Sequence, residues 1–281
     1  MNNITEFLQR FPNNEVCLET IFNKKYGEMS DCPKCKTKGV KFYKVKNRQC
    51  YECGKCGHQL YPLAGTIMHG TTTDLTKWFY AIYLFSTSKN GISSNELKRQ
   101  LGVTYKCAWR IGHKIRELME LDEIPLSGDV ELDESLIGGS APGKRGWGAD
   151  NKTCIFGMME RGGRGKIVVV PNRTREVLYP IILKNVEKGA TVHTDEFRVY
   201  KSLPQFGYKH RNVVHSRRQW IRNGSHINSI EGYWSNLKKS ILGTHTFVTP
   251  RHLQKYLNEF SFRHNHRKEG DVFESIIERI V

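Results

Sequence analysis

Apolar positions along this chain change their period near residue 128. Before that point they recur at helical spacing. "ITEFLQRF" and "NEVCLETIFNKKYG" read as two short helices, and "TDLTKWFYAIYLFSTS", "SSNELKRQLG" and "TYKCAWRIGHKIRELMEL" as three more within 73–120, broken at "KNGIS" and "LGVTY". "EIPLSGD" (123–129) reads as a linker. Beyond it the apolar residues alternate: "DVELDESLIGG", "TCIFGMMER" and "KIVVVP" predict three strands, with "GGRG" as a turn between the last two. "TREVLYPIILKNVEKG" predicts a helix with Thr174 as N-cap and Gly189 at its C-terminal end. A strand at 190–194, a helix at 196–203, a strand "NVVH", and helices at 226–241 and 250–264 complete the series.

The order βββαβαβα has physical content. Three strands joined by short turns form an antiparallel meander, and crossover helices then add parallel strands, so the expected fold is α/β with a mixed sheet flanked by helices. That order matches the ribonuclease H-like architecture. The expected domains are N-terminal helices at 1–28, a cysteine-rich module at 29–62, a helical region at 73–122 and the sheet domain at 128–270.

Charge narrows the partner. The chain of 281 residues carries 44 Lys and Arg against 28 Asp and Glu, which favours an anionic partner, nucleic acid or an acidic membrane surface, over an ordinary basic enzyme. From Phe197 to Ile230 there are seven Lys or Arg and no acid; from Pro33 to His58 there are eight and one Glu. Two separated basic segments fit a long polyanion better than a small ligand. No apolar run approaches the roughly 20 residues that span a bilayer, and "MNNITEFLQRF" lacks a signal-peptide pattern. A soluble, cytoplasmic protein without a membrane partner is expected.

Five of the eight cysteines fall between Cys32 and Cys56. Cys32-Pro-Lys-Cys35 and Cys53-Gly-Lys-Cys56, with 17 residues between the pairs, have zinc-ribbon spacing, in which four thiolates close a tetrahedral and therefore structural Zn²⁺ site. Cys50 offers a competing pair with Cys53. The tight "CGKCG" knuckle favours Cys53 with Cys56 and leaves Cys50 on the strand leading into it.

"NGISSNELKRQLGVTYKCAWRIGHKIREL" has the form of a helix-turn-helix, with its turn at Leu101-Gly102-Val103 and a second helix from about Thr104. Such a helix would offer Tyr105, Lys106, Trp109 and Arg110 to DNA. An ordinary helical hairpin is the plainer reading.

Three acids have a telling arrangement. Asp133 lies inside the first strand between apolar neighbours, and a buried strand carboxylate is costly unless it binds a metal or a partner. Asp195 ends the fourth strand, the neighbour of the first in this topology. Glu231 lies beside the stripe Ile227, Ile230, Trp234, Leu237 and Ile241 of the 226–241 helix. Together they suit two divalent cations about 3.5–4 Å apart for in-line phosphoryl displacement. Hard carboxylate ligands suit Mg²⁺, with Mn²⁺ as the alternative. Glu134 and Glu196 read as supporting or solvent-facing neighbours, and His193 and His226 as DNA contacts or braces of the site.

These motifs carry a resemblance. "LDESLIGG", "HTDEFRVY" and "HINSIEGYWSNLKKSILGTHTFVTPRHLQKYLNEFSFRHNHR", with "CPKC" and "CGKCGHQLYPLAGTIMHGTTTDLTKWFYAIYLF", closely resemble the insertion-sequence DDE transposases with an ISXO2-like domain, related to the Merlin group. The resemblance covers nearly the whole chain from about residue 15, with Cys50 as its main departure. It implies cleavage and strand transfer at the terminal inverted repeats of a mobile element. Double-stranded DNA, as inverted repeats and target, would be the partner, and a homo-oligomer would act on it at the nucleoid if the source is prokaryotic. It carries the catalytic roles onto Asp133, Asp195 and Glu231, with Lys238 as a DNA contact. Some members have the third catalytic position described as Asn or His, which keeps Asn228 in play. Arg217 and Arg218 are expected phosphate contacts. The competing expectations are a catalytically silent DNA-binding regulator derived from such an enzyme and, more distantly, a ribonuclease H.

Overall fold

The computed structural model describes residues 3–139, 146–149, 151–213, 226–268 and 271–281. Backbone contacts divide the chain into two compact units: Met1–Ser88 with Ser94–Leu118 and Asp271–Val281, and Lys89–Ser93 with Met119–Gly270.

In the first unit, helices α1 (Ile4–Arg10) and α2 (Asn14–Tyr26) precede a small antiparallel sheet of β1 (Phe42–Lys44), β2 (Tyr51–Cys53) and β3 (Gln59–Leu60). Both helices start on an asparagine, Asn3 and Asn13, whose side chain accepts from backbone N–H groups of the first turn. Three helices follow: α3 (Leu75–Thr87), α4 (Ser94–Leu101) and α5 (Tyr105–Leu118). The C-terminal α9 (Val272–Ile277) returns to this unit, where Phe273 meets Phe7 and Phe11, and Phe11 packs 4.8 Å from Phe79 between ring centroids. No motif in the sequence had announced that return.

The second unit is built on a five-stranded sheet in the order β6-β5-β4-β7-β8. Strands β4 (Asp129–Ile137), β5 (Thr153–Glu160) and β6 (Gly165–Val169) form an antiparallel meander, while β7 (Thr191–Thr194) joins β4 in parallel and β8 (Lys209–Asn212) joins β7 in parallel. The expected mixed sheet is present. Val130, Leu132, Phe156, Met158 and Val192 face α6 (Arg175–Asn185) through Leu178, Tyr179 and Ile182. On the other side Ile155, Met159 and Ile167 pack against α7 (Asn228–Ser240) and α8 (Pro250–Asn265). Gly157 sets the distance of α7 from the sheet: a Cβ there would stand 2.5 Å from the Trp234 ring.

Several local expectations need correction. Helix α6 ends at Asn185, and Gly189, at φ +90°, belongs to the turn before β7. The helix expected at 196–203 is a 3-10 helix at Arg198–Phe206, whose buried residues Tyr200 and Leu203 are three apart, as the tighter period requires. The last strand is Lys209–Asn212 rather than 212–215, of which Val214 and His215 lie outside the described residues. Its alternating exposed Lys209 and Arg211 are the charges that protect a sheet edge, and they hide the strand from a reading based on apolar runs. The stretch read as a linker is anchored at Leu126, which is buried and bridges Val186. No helix among the described residues is long and apolar enough to cross a membrane.

Candidate functional site

Strand register builds the acidic site. Asp129 pairs with Thr191 and Glu131 with His193, so two residues further along these parallel strands Asp133 and Asp195 stand at the same sheet end. Side chains alternate, which puts Asp129, Glu131 and Asp133 on the α7 face and Val130, Leu132 and Glu134 on the α6 face. Asp133 pairs with Gly157 on β5, and the gap left by that glycine admits Trp234, whose Nε1–H donates to Asp133 Oδ2 at 2.9 Å. Glu231 lies one helical turn before Trp234. The Phe197 backbone N–H donates to Asp195 Oδ1 at 2.8 Å.

Electrostatics tie the three acids together. Burial pushes the Asp133 carboxyl up to about 6; the Trp234 hydrogen bond opposes this, and the charges of Asp195 and Glu231 reinforce it. Asp133 and Asp195 are half-buried, while Glu231, Asn228 and Lys238 are exposed on α7. The donor set is therefore all hard oxygen, with negative charge that the surrounding protein only partly compensates, and this suits Mg²⁺. Among the described residues the three carboxylates do not converge within 4.8 Å as the four thiolates described below do.

Glu131, which sequence reasoning passed over, is wholly buried. Its carboxylate accepts from Arg161 Nε at 2.9 Å, Ser229 Oγ at 3.1 Å and the Ile230 backbone N–H at 2.9 Å, and His226 Nδ1 lies 3.2 Å away. Arg161 also donates to the His226 carbonyl at 2.7 Å. The start of α7 is thereby pinned to the middle of the sheet. The only hint in the sequence was period two: Glu131 shares a strand face with Asp133. His193 is wholly buried and bonds Asp129 at 2.7 Å. Glu134 is not solvent-facing: it is buried, accepts from the Tyr200 hydroxyl, and burial pushes it up to about 7. Glu196 is exposed.

The four expected ribbon cysteines come together. Sγ of Cys32 lies 3.7 Å from that of Cys56, and Cys35 lies 3.9 Å from Cys53. Four sulfurs at about 2.3 Å from a tetrahedral Zn²⁺ would be about 3.8 Å apart, so the cluster fits that ion. Both knuckles repeat one pattern: Lys36 N–H bonds the Cys32 carbonyl and Gly57 N–H the Cys53 carbonyl, while Cys32 and Cys53 N–H groups bond Thr37 and His58 carbonyls. Lys36 and Gly57 both take positive φ there. Contacts with the Thr37 hydroxyl and backbone bring the Cys35 thiol down to about 6, whereas burial and the neighbouring thiols push Cys56 up to about 11. Cys50 is buried and outside the cluster.

Of the residues expected on DNA, Tyr105, Lys106 and Arg110 are exposed along α5, whose buried face is Ala108, Ile111 and Ile115, and the Trp109 ring lies tilted against His113, 3.9 Å between centroids. Arg217 and Arg218 lie outside the described residues.

Comparison with known proteins gives this geometry a context. Residues 125–265, half of the chain, match the ISXO2-like transposase domain, and residues 12–59 match the transposase zinc-ribbon domain. An uncharacterised protein in the transposable element ISH50 of Halobacterium salinarum is 25% identical over 267 residues, covering 88% of this chain and 90% of that protein.

Proposed function

The chain belongs to the ISXO2-like transposase family, and from that premise we propose that it cuts and joins DNA at the ends of an insertion sequence, with Asp133, Asp195 and Glu231 as its catalytic acids. One observation carries the reading: parallel pairing of β4 and β7 runs towards Asp133 and Asp195 at one sheet end, where the Asp195 charge acts on Asp133, and Trp234 links Asp133 to the helix that bears Glu231. The strand order, a meander followed by two parallel strands on the other side of β4, supports a ribonuclease H-like domain spanning 128–270. The hairpin of α4 and α5 supports a helix-turn-helix within 73–122, after N-terminal helices at 1–28 and a ribbon at 29–62.

In this mechanism each part of the chain has a separate task. Tyr105, Lys106 and Arg110 on α5 contact the terminal inverted repeat, and the basic 197–230 segment with Arg217 and Arg218 neutralises backbone phosphates. Trp234 holds the Asp133 carboxylate by one oxygen and the Phe197 N–H holds that of Asp195, so neither has to reorganise when DNA arrives. Asp133, Asp195 and Glu231 would hold two Mg²⁺ ions. When bound, these activate the attacking hydroxyl and stabilise the leaving oxygen. Lys238, two turns beyond Glu231, meets the flanking phosphate. The ribbon would hold Zn²⁺ through Cys32, Cys35, Cys53 and Cys56 and keep its hairpin folded.

The test compares nicking with binding on a labelled duplex taken from the DNA flanking the gene. Asp133→Asn, Asp195→Asn and Glu231→Gln are each expected to remove Mg²⁺-dependent nicking by several orders of magnitude while gel-shift affinity is kept. Asn228→Ala is expected to be mild. Nicking retained by Glu231→Gln and lost by Asn228→Ala would move the third position one turn upstream. A wild-type protein that binds the ends but never nicks them would be the regulator instead.

A further inference from the structure

At the carboxylate end of the sheet a guanidinium is held between two aromatic rings. Arg173, in the loop from β6 to α6, has its Cζ 4.0 Å from the Trp147 ring centroid and 4.6 Å from that of Phe197. The two rings come from distant parts of the chain. Trp147 sits in a short 3-10 turn between β4 and β5, and Phe197 follows β7 directly. Attraction between the cation and both ring faces fixes the plane of the guanidinium without using its N–H donors.

Those donors have an unusual setting. Among the described residues no carboxylate forms an ion pair with Arg173. The nearby acid on which its charge acts is Glu134, and Glu134 is already bonded by the Tyr200 hydroxyl. An arginine stays charged at any pH a protein survives, and the guanidinium of Arg173 is only half-buried. Trp147 remains 47% exposed, so solvent, and hence a ligand, has access on that side.

Position identifies the anion. Phe197 is the residue whose N–H fixes Asp195, and Glu134 is the strand neighbour of Asp133. A strand of DNA entering this end of the sheet meets three acids that repel its phosphates. Arg173 reaches that end through Phe197, on the Glu134 face of the sheet, and its planar fork, which matches two phosphate oxygens, would offset that repulsion. Resting on the reading of Asp133, Asp195 and Glu231 as the cleavage centre, we propose that Arg173, clamped by Trp147 and Phe197, binds a DNA phosphodiester at or next to the bond that is cut.

Two measurements on the full chain with zinc test this. The first needs no chemistry. Ethylation interference on the gel-shifted end duplex, with Ca²⁺ in place of Mg²⁺, should lose its signal at one phosphate near the cut in Arg173→Gln and keep the remaining footprint. An unchanged footprint would overturn the proposal. The second is a nicking cycle with single methylphosphonates placed along the same strand. On natural DNA, Arg173→Gln should lower kcat/KM about 10–100-fold, the size expected for one charge-assisted bidentate contact, and Arg173→Lys should lose less. At one position the methylphosphonate should reproduce that loss in the wild type and leave Arg173→Gln no further loss to show. Equal losses at every position would mean that Arg173 only braces Phe197 and Asp195, and the proposal would fall. Failure of the underlying reading looks different: Asp133→Asn would nick as well as the wild type, whatever Arg173 does.

Discussion

Replacing Glu131 by glutamine should loosen α7 without changing a volume. The carboxylate is wholly buried and accepts from Arg161, Ser229 and the Ile230 N–H. Removing one partner of a buried ion pair costs about 3–5 kcal/mol, and a hydrogen bond to a charged group contributes about 1.5–3 kcal/mol. Two features reduce that figure. Arg161 keeps 22% of its side chain exposed, so water recovers part of its charge, and the amide oxygen still serves the Ile230 N–H. The expected loss is about 2–3 kcal/mol, which for a unit near 150 residues lowers Tm by about 4–12 °C. Urea and thermal unfolding followed by far-ultraviolet circular dichroism measure it. Adding Arg161→Met to Glu131→Gln should restore at least half of the loss, because no buried cation is then left unpaired. Nicking should fall in the single variant even where it is fully folded, since Glu231 and Trp234 ride on the helix that Glu131 holds. A melting point within about 1 °C of wild type, together with coupling below about 0.5 kcal/mol between the two sites, would refute the pinning of α7.

Other perturbations separate the remaining parts. Serine at Cys32, Cys35, Cys53 or Cys56 should release zinc, read by metal analysis, and serine at Cys50 should not; zinc loss from Cys50→Ser alone would put the wrong cysteine in the cluster. Asp133 ionises near 6 in the folded chain against 3.8 as a free side chain, so its contribution is full below pH 3.8 and is lost as pH rises through 6. In chelator at pH 7, Asp133→Asn should therefore raise stability by about 1–3 kcal/mol, and added Mg²⁺ should stabilise the wild type and not the variant. His264 is held down near 4, first by burial and then by the Arg267 charge, so the unfolded chain takes up that proton first and stability falls as pH drops from about 6.5 towards 4. After discounting for its partial exposure, His264→Gln should abolish about 1–2 kcal/mol of that acid sensitivity in pH-dependent melts; parallel wild-type and variant curves would contradict it.

What the sequence disclosed, and what it withheld, follows from how far each interaction reaches along the chain. The ribbon was legible because its four clustered cysteines are two local pairs with a fixed chemistry, and even the exclusion of Cys50 from the cluster followed from the tightness of one knuckle. Elements with a strong apolar period, such as α7 and α8, were found within about two residues. Elements whose burial is not periodic at 3.6 or 2 were displaced: the 3-10 helix at Arg198–Phe206, and the charged edge strand β8. The acids were placed on the right elements because a carboxylate among apolar strand residues is conspicuous by its cost. Their supports were invisible for the opposite reason. Glu131 sits in "VELDESL" as one acid among three, and only pairing with Arg161 and Ile230, 30 and 99 residues away, makes it structural.

The same distinction explains why Gly157 and Trp234 went unread as a pair. Neither is unusual alone, a glycine in a strand and a tryptophan on an apolar helix face. Their meaning comes from register: β5 sets Gly157 opposite Asp133, and the missing Cβ lets an indole reach across to the acid. One side-chain-free position thus couples the helix of Glu231 to the strand of Asp133, and a Gly157→Ala change would push the indole away from the carboxylate it orients.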